Sequence, residues 1–330
     1  MQKVVCTALT GGTGPHYDIL AKAGFTIVDA PPELNIYESA NLRTLAHDCV
    51  AVVAGSEPWP ESLIAACPGL RVLSRTGVGY DAIDVAACDQ RGVIVATTPG
   101  VNHHAVAEHT FAMLLGIARG FPSRDQHVRA CTWLRKSTPR VMGRTLGIVG
   151  LGRIGRAVAT RAVGLGMKVV AYEPYPQKEF CEQWGIELAS FESLLSTSDY
   201  VTLHLPMSRE TKHVMNDKSF ALMKPGSVLI NTARGLLVDE KALVRALQSG
   251  HLRGAGLDVF EVEPLPADSP LLKLDNVLLS GHLAGLDVES HHDTLTMAAE
   301  TIVSLSKGGW PAECVRNLPG VKDWKWSRSN

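Results

Sequence analysis

The 330-residue chain reads as an α/β protein of two doubly wound parallel-sheet domains, one inserted into the other. Three observations predict this. Short apolar runs alternate with helical stretches from end to end, as they must when each strand returns through a helix. One mid-chain junction, Gly150-Leu151-Gly152-Arg153-Ile154-Gly155, turns a strand tightly into a helix. A further helix, Glu289 to Leu305, lies beyond the last strand and is expected to return to the first sheet. The first, flavodoxin-like domain is therefore discontinuous, residues 1–98 with 286–330, and the inserted domain is 99–285.

The elements follow in order. Val4-Val5, Phe25 to Val28, Val50 to Val53, Leu70 to Leu73 and Val93 to Val95 are short apolar runs with strand character. Thr98-Pro99-Gly100 breaks the pattern as a crossover. Ala105 to Ile117 reads as a largely apolar helix, deeply buried or at a subunit interface. Arg119 to Arg144 is basic and without periodicity, an arm or solvated loop, with Trp133 expected as a packing residue. Leu146 to Val149 and Met167 to Tyr172 flank the glycine turn. Tyr200 to His204, Ser227 to Asn231, Ala255 to Val259 and Val277 to Ser280 complete the second sheet. The tail with Trp324 and Trp326 is polar, docked or loose.

Composition removes several classes of protein. With 45% hydrophobic and 20% charged residues the chain has ample core, and a net charge of −1 gives no electrostatic case for nucleic acid or an anionic membrane. No apolar run spans a bilayer. Met1-Gln2-Lys3-Val4-Val5-Cys6 carries no signal-peptide core. The seven cysteines are scattered, with no Cys-x-x-Cys pair, which predicts reduced thiols in a cytoplasmic protein and neither a disulfide framework nor a zinc site. His103-His104 and His291-His292 are adjacent pairs whose side chains diverge on a helix, so no metal is expected there.

The glycine junction has the context that a dinucleotide requires: strand, tight turn, helix, strand, acid. Gly150 makes the turn, Gly152 lets a pyrophosphate approach the backbone, and Gly155 lets the helix pack on the sheet. The helix start presents unpaired N–H groups to the phosphates. Arg153 either touches them or is simply exposed. Glu173 stands 18 residues after Gly155, at the end of the next strand, where a carboxylate accepts hydrogen bonds from ribose hydroxyls and repels a 2′-phosphate. NAD is therefore expected rather than NADP.

Ligands in open parallel sheets bind beyond the carboxyl ends of the strands. Arg234, Asp258, Glu263 and His282 all fall at such ends. Each has an ordinary reading as a surface cation, strand-end acid, turn acid or loop histidine; their shared edge argues otherwise. Reducing a 2-keto acid needs a forked cation for the carboxylate, which Arg234 offers. It also needs a proton donor for the developing alkoxide, which His282 offers. A carboxylate at Glu263 on the other imidazole nitrogen would hold the ring and favour its charged form.

The chain resembles the D-isomer-specific 2-hydroxyacid dehydrogenases over nearly its whole length. The resemblance rests on Thr76 to Asp81, Ala107-Glu108, Gly150 to Gly155, His204-Leu205-Pro206, Asn231 to Gly235, Asp258 to Pro264 and Gly281-His282. It implies Arg234, Glu263 and His282 as the catalytic set, and Val78-Gly79 as a backbone cradle for the substrate carboxylate. It implies Thr232, Asp258 and the segment to Gly285 on the nicotinamide side, and His204 and Pro206 along the adenine. Val106 is implied as a cofactor contact from the crossover helix, and Ile154 and Ala233 join the cofactor set. It also implies a homodimer through the crossover region, with the site in the cleft between the domains. Two positions depart from the family pattern: Gly281 replaces the usual proline before the histidine, and Glu173 replaces the commoner aspartate.

Within the family the chain looks most like the phosphoglycerate dehydrogenase branch. Arg75 matches a position near that branch's substrate phosphate, but a second arginine expected near Gly55-Ser56 is absent, and so is room for a regulatory domain. Hydroxypyruvate, glyoxylate and larger 2-keto acids remain open. A formate dehydrogenase is disfavoured, because that branch has glutamine at Glu263. The alternative from another class is an NAD(H)-dependent interaction protein like the C-terminal-binding corepressors, which retain the same three residues. A flavin protein is a weaker alternative.

Overall fold

A computed structural model gives the fold and describes residues 1–8, 12–318 and 324–327. The chain divides into two compact units, Met1–Asn102 with Asp287–Asn330, and His103–Leu286.

The first unit alternates β1 (Gln2–Cys6), α1 (Pro15–Lys22), β2 (Phe25–Asp29), α2 (Ser39–Ala46), β3 (Ala51–Ala54), α3 (Glu61–Ala65), β4 (Val72–Arg75), α4 (Val85–Arg91) and β5 (Ile94–Ala96). All pairings are parallel, in the order β2-β1-β3-β4-β5, the flavodoxin-like winding. Strands β1, β3, β4 and β5 bury most of their residues, which is why they read as continuous apolar runs rather than alternating ones, whereas the edge strand β2 buries only Phe25. The chain's last helix, Val288–Ser306, covers one face with Leu295, Ala298, Ala299 and Ile302, and Ser74 Oγ donates to the Ala298 carbonyl at 3.0 Å. Asp287 caps that helix by accepting from the Ser290 N–H.

The described part of the tail is docked on this unit. Trp324 Nε1 donates to the Gly92 carbonyl and Trp326 Nε1 to Gln2 Oε1, each at 2.8 Å, while the Arg71 guanidinium lies 4.9 Å from the Trp324 ring centre.

The second unit opens with α5 (His103–Arg119) and α6 (Phe121–Arg129). It then runs β6 (Thr145–Val149), α7 (Arg153–Gly164), β7 (Lys168–Tyr172), α8 (Lys178–Trp184), β8 (Glu187–Leu188), α9 (Phe191–Thr197), β9 (Tyr200–Leu203), α10 (Asp217–Leu222), β10 (Ser227–Asn231), α11 (Glu240–Gln248), β11 (Leu252–Leu257) and β12 (Val277–Leu279). The sheet order is β12-β11-β10-β9-β6-β7-β8, all parallel, so the winding reverses between β6 and β9. That reversal is a topological switch point, where open sheets take their ligands. Two apolar layers sandwich the sheet, one holding α5 and α7, the other α9, α10 and α11.

Three expectations need correction. The aperiodic stretch after Arg119 contains a helix, α6. None of its residues is buried, so there is no apolar stripe to read; Pro122 in its first turn and an Asp125–Arg129 pair at 2.6 Å support it locally. Trp133 is not packed within this chain but 74% exposed. The edge strand β8 was not foreseen, because two exposed residues carry no period. Among the described residues no helix is long and apolar enough to cross a membrane. All seven cysteines lack a disulfide, and only Cys131 is exposed.

Candidate active site

The sheet of the second unit places the expected residues along one edge, because in a parallel sheet every strand ends on the same side. Gly150 follows β6, Glu173 follows β7, His204 follows β9, Thr232 to Arg234 follow β10, Asp258 follows β11, and His282 lies three residues beyond β12.

The glycine turn is built for close approach. Gly150 has φ +97°, and a Cβ there would lie 2.7 Å from the His204 carbonyl oxygen. A Cβ on Gly155 would lie 2.1 Å from the Gly150 carbonyl oxygen, so only glycine lets α7 start this near the strand. Gly152 differs: a Cβ there would meet no protein atom within 4 Å. Gly152 is also the N-cap of α7 and supplies no side-chain cap, leaving the first N–H groups of a 12-residue helix open to an anion. Arg153 is exposed at the first helical position and Ile154 is half-buried behind it. Glu173 turns back onto the loop: its Oε2 accepts from the Leu151 N–H at 2.9 Å and its Oε1 from the Tyr175 N–H at 3.0 Å. The open helix start, the bare Gly152 and the strand-end acid fit a dinucleotide's phosphates and ribose.

Farther along the edge, the His204 ring lies 3.0 Å from Thr202 Oγ1, and desolvation of the ring drives its pKa down to about 3, so it stays neutral. Pro206 is exposed two residues on. Val106 is buried in the first turn of α5, and its carbonyl accepts from Thr110 Oγ1, which lies 3.0 Å from Thr232 Oγ1. One hydroxyl chain thus ties the crossover helix to the end of β10.

Asp258 organises the loop after β12. It is fully buried, and its carboxylate accepts from Ser280 Oγ at 2.6 Å and from the Leu283 and Ala284 N–H groups at 2.9 and 2.8 Å. Its carbonyl accepts from the His282 N–H at 2.6 Å. Asp258 therefore holds the whole Ser280–Ala284 loop, with half-buried Gly285 next in line. His282 has φ +59°, the left-handed region that costs a non-glycine residue free energy and persists only where surroundings impose it. Here the surroundings are the hydrogen bonds to Asp258 on either side of that residue; Gly281, exposed before it, adds no contact.

The His282 side chain meets Glu263, with Nδ1 2.7 Å from Oε2. Both residues are half-buried. Glu263 Oε1 also accepts from the Phe260 N–H at 3.0 Å. Burial by itself would raise the Glu263 pKa; the hydrogen bond and charge of His282, the Phe260 N–H and the Arg234 cation outweigh it and hold the carboxyl below the usual carboxylate range. Its folded value is depressed, so the carboxylate is ionised at and above the ordinary value of 4.5 and is neutralised only as pH falls further, through the depressed value.

Arg234 reaches this neighbourhood because Gly235 touches the Phe260–Glu261 backbone. A Cβ on Gly235 would lie 1.9 Å from the Phe260 carbonyl, which no side chain could occupy. The arginine is half-buried, with Nη1 2.6 Å from the Ala233 carbonyl, and the buried Asn231 amide braces the turn by bonding the Arg234 carbonyl and the Ala233 N–H.

Arg234, Glu263, His282 and Asp258 are thus brought together, with Thr232 and Val106 linked alongside. Arg75, Val78 and Gly79 belong to the first unit, Arg75 as the last residue of β4 and the other two on the loop that leaves it. There Val78 is 40% exposed, and Thr98 N–H donates to the Gly77 carbonyl at 2.9 Å. Sequence reading missed several supporting groups: Asn231, Ser280, and His109 on α5, whose Nε2 lies 3.5 Å from Asp258 Oδ1. It also missed Glu57, buried after β3, which accepts from Thr7 Oγ1 and Trp59 Nε1, and whose carboxyl is raised by burial against the opposing pull of these bonds and of the Arg75 charge. A polar residue at or just past a strand end was the only signal for Asn231, the last residue of β10, and Glu57, three residues after β3.

Comparison with known proteins agrees with this geometry. Residues 111–284 match the model of the D-isomer-specific 2-hydroxyacid dehydrogenase NAD-binding domain. A glyoxylate reductase of Korarchaeum cryptofilum is 42% identical over 294 residues, 87% of this chain and 87% of that one. A D-3-phosphoglycerate dehydrogenase of Archaeoglobus fulgidus is 41% identical over 82% of this chain, which spans only 52% of that protein. The solved structure of an Aquifex aeolicus D-lactate dehydrogenase, complexed with NAD and lactic acid, superposes with TM-score 0.81 at 28% identity, over 93% of this chain and 96% of that one. Nothing in these comparisons supports an interaction protein of the corepressor kind. The chain belongs to the D-isomer-specific 2-hydroxyacid dehydrogenase family and is an NAD-dependent oxidoreductase of that family.

Proposed function

We propose that this enzyme interconverts a small, unphosphorylated D-2-hydroxy acid and its 2-keto acid, of the glyoxylate or hydroxypyruvate class, with Arg234, Glu263 and His282 as its catalytic residues. The observation that carries the reading is the 2.7 Å pair of His282 Nδ1 and Glu263 Oε2, held at the sheet edge by buried Asp258. NAD, when bound, supplies or accepts the hydride. Glu263 occupies Nδ1, which leaves Nε2 as the nitrogen that gives the substrate oxygen its proton in reduction and takes it in oxidation. Arg234 grips the carboxylate as a fork, and Val78, Gly79 and Arg75 are assigned to the same substrate.

Two facts favour an unphosphorylated substrate. A relative named glyoxylate reductase is 42% identical over 87% of this chain. The second arginine expected near Gly55-Ser56 for a substrate phosphate is absent. The test is NADH oxidation with glyoxylate, hydroxypyruvate, pyruvate, phosphohydroxypyruvate and bulkier keto acids. A sub-millimolar KM for one of the first two supports the reading; preference for phosphohydroxypyruvate replaces it with the Arg75 alternative.

The cofactor set is Gly150, Gly152, Arg153, Ile154, Gly155, Glu173, His204, Pro206, Thr232, Ala233, Asp258, Gly285 and Val106. Glu173→Gln is expected to raise the NADPH-to-NADH ratio of kcat/KM, because a carboxylate no longer faces the 2′-phosphate; an unchanged ratio removes Glu173 from the ribose.

Glu263→Gln tests the pair. Glutamine keeps the size of the side chain but removes the carboxylate that accepts from the ring at 2.7 Å, so kcat for reduction is expected to fall while NADH binding is retained. An unchanged kcat uncouples Glu263 from His282.

The protein works in the cytoplasm as a homodimer through the crossover region. The exposed apolar side chains of that arm, Phe121, Val128 and Trp133, support this. A mass of two chains by light scattering is expected, and a mass of one overturns the dimer.

A further inference from the structure

We propose that the first unit carries a buried binding site for one borderline divalent cation, zinc or cobalt, formed by Cys6, His16 and Asp29. The topology creates it. Cys6 ends β1, Asp29 ends β2 directly opposite in the parallel register, and His16 stands in the first turn of α1, which connects them. One ligand atom from each residue, a thiol sulfur, an imidazole nitrogen and a carboxylate oxygen, lies within 4.8 Å of both others. Tetrahedral bonds of about 2.0–2.3 Å place ligand atoms about 3.5 Å apart, so closing on an ion takes shifts of about 1 Å.

Several independent features point to a ligand here. His16 is 0% exposed, yet neither ring nitrogen has a hydrogen-bond partner, and the Asp29 Oδ1 atom is likewise buried without one. Buried polar atoms are rarely left so, because each forfeits its hydration. Asp29 Oδ2 is already used, accepting from the Tyr17 hydroxyl at 2.6 Å, which orients the carboxylate and leaves Oδ1 for the cation. The space beside the ring is kept clear by Gly14: a Cβ there would lie 2.8 Å from His16 Nδ1. Burial also lowers the His16 pKa, with the Asp29 charge opposing and His291 assisting, so the imidazole is held in its neutral, ligating form.

The donor set selects the ion. Thiolate with imidazole suits zinc and cobalt, whereas magnesium and calcium require all-oxygen sites. Binding replaces the Cys6 S–H bond by a metal–sulfur bond and releases one proton to solvent. The Ala8 carbonyl oxygen, 3.9 Å from the Cys6 sulfur, is a candidate for a fourth position. A cation here would pin the ends of β1 and β2 to the start of α1. The site is separate from the glycine turn and from the Arg234–Glu263–His282 group, and it does not depend on the proposed activity.

Cobalt(II) titration of the metal-free full-length protein tests it, in a Cys131→Ser background that removes the exposed thiol. One equivalent is expected to produce a thiolate-to-cobalt charge-transfer band and to raise Tm. Cys6→Ala, a small change at a buried position, is expected to abolish the band and weaken binding about 100-fold or more. His16→Gln should do the same, with NADH binding and circular dichroism reporting that each variant is folded. Absence of the band at several equivalents, or its persistence in Cys6→Ala, overturns the proposal. Should His16→Gln not fold, the Cys6→Ala titration decides.

Discussion

His282→Ala is expected to lower kcat for keto-acid reduction by about 10²–10⁴-fold, the usual contribution of a positioned proton donor. NADH affinity should hardly change. The reason for the split is structural: the groups proposed to face the phosphates are the glycine turn and the start of α7, whereas His282 is held on a different loop, by Asp258. The replacement also suits the backbone only partly, since φ +59° is no easier for alanine than for histidine. A thermal melt must therefore accompany the kinetics, so that a loosened loop is not mistaken for a lost proton donor. Retained turnover in a folded variant would refute the assignment.

Arg234→Lys is expected to raise KM for the keto acid by about 10–100-fold, the effect of losing one charge-assisted hydrogen bond of about 1.5–3 kcal/mol. Charge is conserved in this change, but the planar fork is not, and a lysine ammonium cannot bond both carboxylate oxygens in parallel. The Arg234 cation is also one of the groups holding Glu263 ionised, and an ammonium nearby preserves part of that influence. The expected signature is thus a large KM effect with a smaller kcat effect. Unchanged values of both would remove Arg234 from the substrate.

The elements that were easy to read from the chain share one physical property. The strands β1, β3, β4, β5, β6, β7, β9 and β10 bury most of their residues, so each appears as an apolar run whose length alone separates it from a helix. The glycine turn was equally legible, because close packing at Gly150 and Gly155 leaves no room for any other residue. Elements without such pressure were hidden. Helix α6 buries nothing, and β8 is two exposed residues at a sheet edge. Strand ends also drifted by two or three positions: β11 starts at Leu252 rather than Ala255, since Arg253 and Gly254 break the apolar run while the pairing with β10 continues across a register shift at Arg253.

The candidate site divides in the same way. Arg234, Asp258, Glu263 and His282 were identifiable from the linear chain because each stands just past a strand, and all strands of a parallel sheet end on one side. Their mutual arrangement was not. Nothing in the chain says that Asp258 fastens three backbone N–H groups of the loop after β12, or that His282 is forced into the left-handed region there. Nor does it say that Asn231 braces the Arg234 turn. Cys6, His16 and Asp29 make the point most sharply: they are scattered over 24 positions with no metal-ligand spacing, and they meet only because β1 and β2 pair in register. Local order along the chain, set by burial period and glycine packing, sufficed for the winding and the cofactor class, and it singled out the groups proposed to react. Contacts between distant segments depend on register and loop geometry, which are properties of the folded backbone, and these decided which groups touch.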